Sequence, residues 1–63
     1  MNKIKELRTE KGYTLENVAS ELGVSKQYIY KLEHGIRNIP LKRAVELARI
    51  FNVSIDELIG KTS

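Results

Sequence analysis

The chain has 63 residues with no cysteine and no tryptophan, and 11 lysines and arginines against 8 aspartates and glutamates give it a net charge of +3 at neutral pH. A domain of that length buries only about 60% of its unfolded surface, and without cysteine neither a disulfide nor a thiolate metal site can supplement the small core. No apolar run approaches the roughly 20 residues that span a bilayer, and the start from Met1 to Glu6 alternates charge with apolar residues instead of building a signal-peptide segment. The expectation is one domain over residues 1–63 in a reducing cytoplasm, with no membrane partner. Its basic balance suits a polyanionic partner. Oligomerisation is the remaining common remedy for so small a core.

In chain order, Ile4, Leu7 and the stem of Lys11 fall on one side of a first helix over about residues 2–11, which Gly12 ends. Thr14 is placed to cap a second helix, with Tyr13 stapled to Val18. Val18, Ala19 and Leu22 form its buried side, and Ala19 has no bulk beyond Cβ to hold off a crossing helix. Gly23 takes a positive φ without steric cost, so it ends the second helix and redirects the chain. Ser25 caps the third helix, Val24 staples to Ile29, and Ile29 and Leu32 face inward. Two short helices meeting at a tight turn make a helix-turn-helix pattern, whose second helix typically lies in the DNA major groove.

Gly35 ends the third helix, and a loop leads to Pro40, which fits the first turn of a fourth helix where its missing N–H costs nothing. The fourth helix is expected over about residues 40–52, with Leu41, Ala44, Val45, Ala48 and Phe51 along one face. Ser54 and Glu57 form a capping box, with Val53 stapled to Leu58, for a fifth helix over about residues 55–60 that carries Ile55, Leu58 and Ile59. Gly60 ends it, and residues 61–63 read as a frayed tail. The same start signal, an apolar residue followed by Ser or Thr with an apolar partner four positions on, thus opens three of the helices, and no strand-type alternation occurs. The fold class is all-α: five helices around Ile4, Leu7, Val18, Ala19, Leu22, Ile29, Leu32, Ala44, Leu47, Ala48, Phe51 and Leu58, with Phe51 near the centre.

If Ile29, Leu32 and Glu33 face inward, then Lys26, Gln27, Tyr30, Lys31 and His34 share the outer face of the third helix. Gln27 can pair bidentately with adenine N6/N7, and Lys26 or Lys31 can donate to guanine O6/N7. Tyr30 either touches a thymine methyl or donates its hydroxyl to phosphate. The alternative is a solvated helix face, where Lys and Gln usually sit. Catalysis is not expected: His34 is the single histidine, no Ser/His/Asp set or metal-ligand cluster can be assembled, and no cofactor or small-molecule ligand is implied. His34 in the last helical turn suits the helix dipole.

The segments Ile4-Lys-Glu-Leu7-Arg8, Gly12-Tyr-Thr14, Val18-Ala19, Glu21-Leu22-Gly23-Val24-Ser25, Ile29, Leu32-Glu33-His-Gly35, Leu47-Ala48 and Asn52-Val53-Ser54-Ile-Asp-Glu57-Leu58 resemble the phage-repressor and Cro-type helix-turn-helix (XRE) family over about residues 2–60. The resemblance implies a lambda-repressor-like domain that binds double-stranded DNA and regulates transcription, as a repressor in its simplest form. It would act as a homodimer on a palindromic operator, with helix three in the major groove. Carried over by position, the base contacts are Ser25, Lys26, Gln27 and Lys31, with Tyr30 and Tyr28 flanking and Tyr28 touching phosphate at its tip. Arg8 and Glu33 are similar to a partly buried pair that links helices one and three in some members; two independent surface charges are the alternative. Backbone contacts are expected from Thr14 and the amides beside it, and from Arg37, Asn38 and Lys42 or Arg43 beyond helix three.

Two features depart from the family pattern. Leu15 stands where many members carry a glutamine that bridges phosphate and the recognition helix. The loop after helix three is often basic, whereas Ile36, Ile39 and Leu41 are apolar here. The apolar excess of Ile50, Ile55 and Ile59, joined by Ile36 or Ile39, is the candidate dimer interface, against the alternative that helix five only covers the core. A rival function is a protein-interaction module, such as an antitoxin or co-regulator, which would depend on the apolar residues near helix five.

Overall fold

Five helices follow one another in the computed structural model, which describes residues 2–60. They are α1 (Ile4–Glu10), α2 (Leu15–Leu22), α3 (Lys26–Glu33), α4 (Leu41–Phe51) and α5 (Ile55–Leu58), and no strand occurs among the described residues. The frayed tail expected at residues 61–63 lies outside them.

Hydroxyl side chains start three of the five helices. Thr14, Ser25 and Ser54 have extended backbone, and their oxygens accept from the amides of Asn17, Tyr28 and Glu57 at 3.0, 3.2 and 3.0 Å. Each bond satisfies one amide that the first helical turn leaves without a partner. The reciprocal half of a capping box forms at Thr14, whose amide donates to Asn17 Oδ1 at 3.0 Å. At Ser54 only the serine's half forms. The short Asn17 amide reaches back where the longer, exposed Glu57 carboxylate stays in water.

The first helix begins at Ile4, later than its periodicity predicts, because residues 2 and 3 make tertiary bonds instead. Asn2 Oδ1 accepts from the Ile4 amide at 3.0 Å while its Nδ2 donates to Leu32 O at 2.8 Å. The Lys3 amide donates to Leu58 O at 2.8 Å. The N-terminal strap therefore ties the end of α3 to the end of α5.

At the turn between α2 and α3, Gly23 is left-handed, with φ 70° and ψ 33°. Its amide donates to Ser20 O at 3.3 Å and the Val24 amide donates to Ala19 O at 3.0 Å. These paired bonds close the helix in the Schellman manner. A Cβ at Gly23 would meet nothing within 4 Å, so Gly23→Ala carries a conformational cost and no steric one. It is expected to destabilise the domain by about 1–2 kcal/mol, read as a lower urea midpoint at unchanged m-value. An unchanged midpoint would show that the turn relaxes to negative φ. Asn52 ends α4 in the same conformation, with φ 57° and ψ 48°, a role that asparagine fills more readily than other non-glycine residues.

The core is Ile4, Leu7, Val18, Ala19, Ile29, Leu32, Ala44, Leu47, Phe51 and Leu58, with Ala48 also buried. Phe51 is fully buried, and the Tyr13 ring leans on it at a centroid distance of 6.1 Å. Four expected placements differ. Leu22, the last residue of α2, is half-buried at the core's margin because the chain turns away at Gly23. Leu41 is 73% exposed: helical side chains lean toward the N-terminus, so at the first position of α4 it projects past the helix end and beyond its neighbours. Pro40 is the N-cap of α4 with ψ 150°, one step outside the first turn. Lys11, the C-cap of α1, is exposed.

Candidate nucleic-acid interface

The third helix is held by its inner face. Ile29 and Leu32 are fully buried, and Glu33 beside them keeps only 1% of its side chain exposed. Arg8 of α1 grips that carboxylate side-on: Nε donates to Oε2 at 3.1 Å and Nη2 to Oε1 at 3.2 Å. The third guanidinium nitrogen, Nη1, donates to Tyr13 O at 3.0 Å. Two parallel bonds fix the angle between the groups as well as their distance, so the pair sets how α3 lies across α1. Asn2 adds its bond to Leu32 O at the same end. No buried side-chain polar atom among the described residues lacks a partner.

With that face committed, the other is presented to solvent. Lys26, Gln27, Tyr30 and Lys31 are exposed and stand on one side of α3, and Ser25, its N-cap, is exposed at the start of the helix. Ser25 Oγ accepts from the Tyr28 amide and keeps its own hydrogen to donate. Tyr30 leans on His34 with ring centroids 4.1 Å apart and the planes tilted by 37°, and His34 Nε2 lies 3.7 Å from Glu33 Oε1. The aromatic ring is thereby steadied on the outer face. Leu15, the first residue of α2, adjoins Lys26, Gln27, Tyr30 and Lys31 and closes a shallow hollow of about 270 Å3 between the two helices.

Flanking groups lie on both sides of this face. Thr14 is exposed, but its amide is already engaged by Asn17, so the unsatisfied first-turn amides are those of Leu15 and Glu16. Arg37, Asn38 and Lys42 are exposed. The loop carrying the first two is folded back on α3, for the amides of Ile36 and Arg37 donate to Lys31 O at 2.9 and 3.3 Å. Tyr28 is half-buried and bracketed by cations, with the Arg37 and Arg43 guanidinium carbons 5.5 and 5.8 Å from its ring centroid. Such contacts hold an arginine in place while leaving its donors free. Arg43 also bonds Glu46 Oε1 at 2.8 Å, and that bond, followed by the Tyr28 hydroxyl, raises its pKa above the ordinary arginine value.

Three apolar residues expected at an interface are placed unequally. Ile50 and Ile55 are half-buried against their own core, while Ile59 is exposed beside the loop residues Gly35, Arg37, Asn38 and Ile39. Ile36 and Leu41 are the most exposed large apolar side chains. Among the described residues no group of His, Cys, Asp or Glu side chains could hold a metal ion, and no helix is long and apolar enough to cross a membrane.

Sequence reasoning missed some of these arrangements. Asn17 has a readable signal, since a hydrogen-bonding side chain three residues after Thr14 is the capping-box spacing. The Tyr28 bracket and the Asn2 strap join residues 9 to 30 positions apart and leave no local pattern.

A helix-turn-helix family model matches residues 4–58, from the first residue of α1 to the last of α5. An uncharacterized HTH-type transcriptional regulator of Archaeoglobus fulgidus is 39% identical over 56 residues, which cover 89% of this chain and 80% of that protein. The regulator y4dJ of Sinorhizobium fredii is 45% identical over 56 residues, covering 89% and 73%. The HTH-type transcriptional regulator SinR of Bacillus subtilis is 33% identical over 60 residues, and this chain spans only 54% of its length. The crystal structure of SinR, a master regulator for biofilm formation, in complex with DNA matches with a TM-score of 0.73 at 31% identity, covering 84% of this chain and 86% of that one. With an unbroken match across all five helices, the chain belongs to the XRE-type helix-turn-helix family.

Proposed function

We propose that the chain is a sequence-specific regulator of transcription that binds double-stranded DNA as a homodimer, with α3 in the major groove, and acts as a repressor by occupying a palindromic operator. The observation that carries this is the division of α3 into two faces: Ile29, Leu32 and Glu33 are buried, while Ser25, Lys26, Gln27, Tyr30 and Lys31 project outward together. An α-helix such as α3 is about 10–12 Å across with its side chains, which the major groove's width of about 12 Å admits. The likeness to SinR, solved with DNA, supports the same reading. Gln27 reads adenine, Lys26 or Lys31 reads guanine, and Ser25 and Tyr30 complete the base contacts. Thr14, Tyr28, Arg37, Asn38 and Lys42 hold the phosphates and fix the register. Working on the genome, the protein acts in the cytoplasm.

Dimerisation follows from a need for information: one α3 reads too few base pairs for useful selectivity, and two half-sites one helical turn apart remedy that. Ile59, exposed next to Ile39, leads the proposed interface, to which the half-buried Ile50 and Ile55 would add what surface they leave exposed. The rival reading, a protein-interaction module, would engage this apolar region and leave α3 unused.

Selection from a random duplex pool at low and near-physiological salt tests the proposal. Enrichment of an inverted repeat with half-sites about 10 bp apart is expected, with affinity falling by nearly one unit of log K per unit of log salt for each phosphate contact. Binding without enrichment that disappears at higher salt would reduce the chain to a generic polycation and favour the protein-partner reading.

A further inference from the structure

Leu15 occupies an unusual place: a branched alkyl side chain at the edge of the face proposed to meet DNA. With Tyr30 and the stems of Lys26, Gln27 and Lys31 it walls the hollow between α2 and α3. Its volume of about 270 Å3 lies below the roughly 300–1,000 Å3 of small-molecule sites, and it is open to the surface. Lysine stems line such hollows with methylenes and keep their ammonium groups at the rim. Tyr30 is held against His34 at 4.1 Å, so this wall stands in place before anything binds.

An apolar floor with two ammonium groups and one carboxamide around it suits a particular partner. It must be anionic as a whole, to be drawn by Lys26 and Lys31, and must carry a small apolar projection that can enter the hollow against Leu15 and Tyr30. Duplex DNA has one apolar group that projects from the base edges into its major groove, the C5-methyl of thymine; cytosine offers only a C5–H at the same place, and the other edge groups are hydrogen-bond donors or acceptors.

We propose that the hollow between Leu15 and Tyr30 receives a thymine C5-methyl group, which makes Leu15 a specificity-determining residue. This rests on the DNA-binding reading above. Leu15 is half-buried, and in receiving the methyl it would lose water from its remaining surface together with the methyl itself. The rim groups Gln27 and Lys31 then pair with the polar edges of adjacent bases.

The test uses the full chain and the duplex obtained by selection. Each thymine of a half-site is replaced in turn by deoxyuridine, which removes the methyl group and nothing else. At one position per half-site the wild-type protein should bind about fourfold more weakly, the effect of withdrawing one buried carbon from an apolar contact. Leu15→Ala should bind the thymine and uracil duplexes alike, and Leu15→Met, which restores an apolar wall, should recover the dependence. The reading is a ratio of two affinities for one protein, so a variant that is partly unfolded lowers both and leaves the ratio intact. Equal affinity for thymine and uracil at every position, or a selected half-site without thymine, overturns the methyl pocket while DNA reading stands. A dependence undiminished in Leu15→Ala overturns the role of Leu15. Failure to enrich any duplex overturns both readings.

Discussion

Gln27→Ala combined with Lys31→Ala should abolish preference for the selected operator and leave helicity and oligomeric state unchanged. Both side chains are exposed and, among the described residues, neither enters a hydrogen bond or ion pair, so the folding cost should stay within about 0.5 kcal/mol. Each base contact is worth about 1–3 kcal/mol of discrimination, and the proposed homodimer would lose the pair twice. A sum of that size is comparable with the whole gap between specific and non-specific binding, about 4–10 kcal/mol. Affinity for operator should therefore fall to that for a scrambled duplex, while the phosphate contacts keep weak, salt-sensitive binding alive. Competition binding against scrambled DNA, with circular dichroism on the same samples, measures this. A variant that still prefers the operator would show that α3 does not carry the base reading.

Glu33→Ala should cost about 3–5 kcal/mol, a large share of the roughly 3–9 kcal/mol expected for 63 residues. The variant leaves the Arg8 guanidinium, with 11% of its side chain exposed, holding only Tyr13 O. The loss is the penalty of an unpaired buried charge and does not measure the net strength of the pair. Replacing both partners by apolar residues of similar size, Arg8→Met with Glu33→Leu, should accordingly recover most of the stability. Urea unfolding of the two single variants and the double variant gives the coupling directly. A loss below about 1 kcal/mol in Glu33→Ala would put the pair in the class of surface ion pairs. If stability recovers in the double variant while operator affinity does not, the fork of bonds also aims α3.

The helices were legible because their signals are local. Thr14, Ser25 and Ser54 stand at the caps their hydroxyls favour, and Gly23 makes the left-handed turn. The outer face of α3 was legible for a similar reason, since burying Ile29 and Leu32 leaves Lys26, Gln27, Tyr30 and Lys31 on the other side. Periodicity failed at element ends. Leu41 has the correct phase for the core but stands at the first position of α4, where its side chain leans past the helix end and is 73% exposed. The left-handed Asn52 was not anticipated, since asparagine is a weaker stop signal than glycine. Leu15 was legible as a departure from its family, but its partners in the hollow come from another helix and are not neighbours in sequence.

The amino-acid sequence by itself determined the helix count, the helix-turn-helix and the side chains that α3 offers to solvent, because caps, turns and a 3.6-residue period act over a few neighbouring positions. The tertiary structure alone decided how that face is supported. Arg8 and Glu33 meet across 25 positions and Asn2 reaches Leu32 across 30. Arg37 and Arg43 close on Tyr28, and Leu15 meets Tyr30 over a shared hollow. Each of these depends on the angle at which two helices cross, and that angle is set when the whole core closes around Phe51.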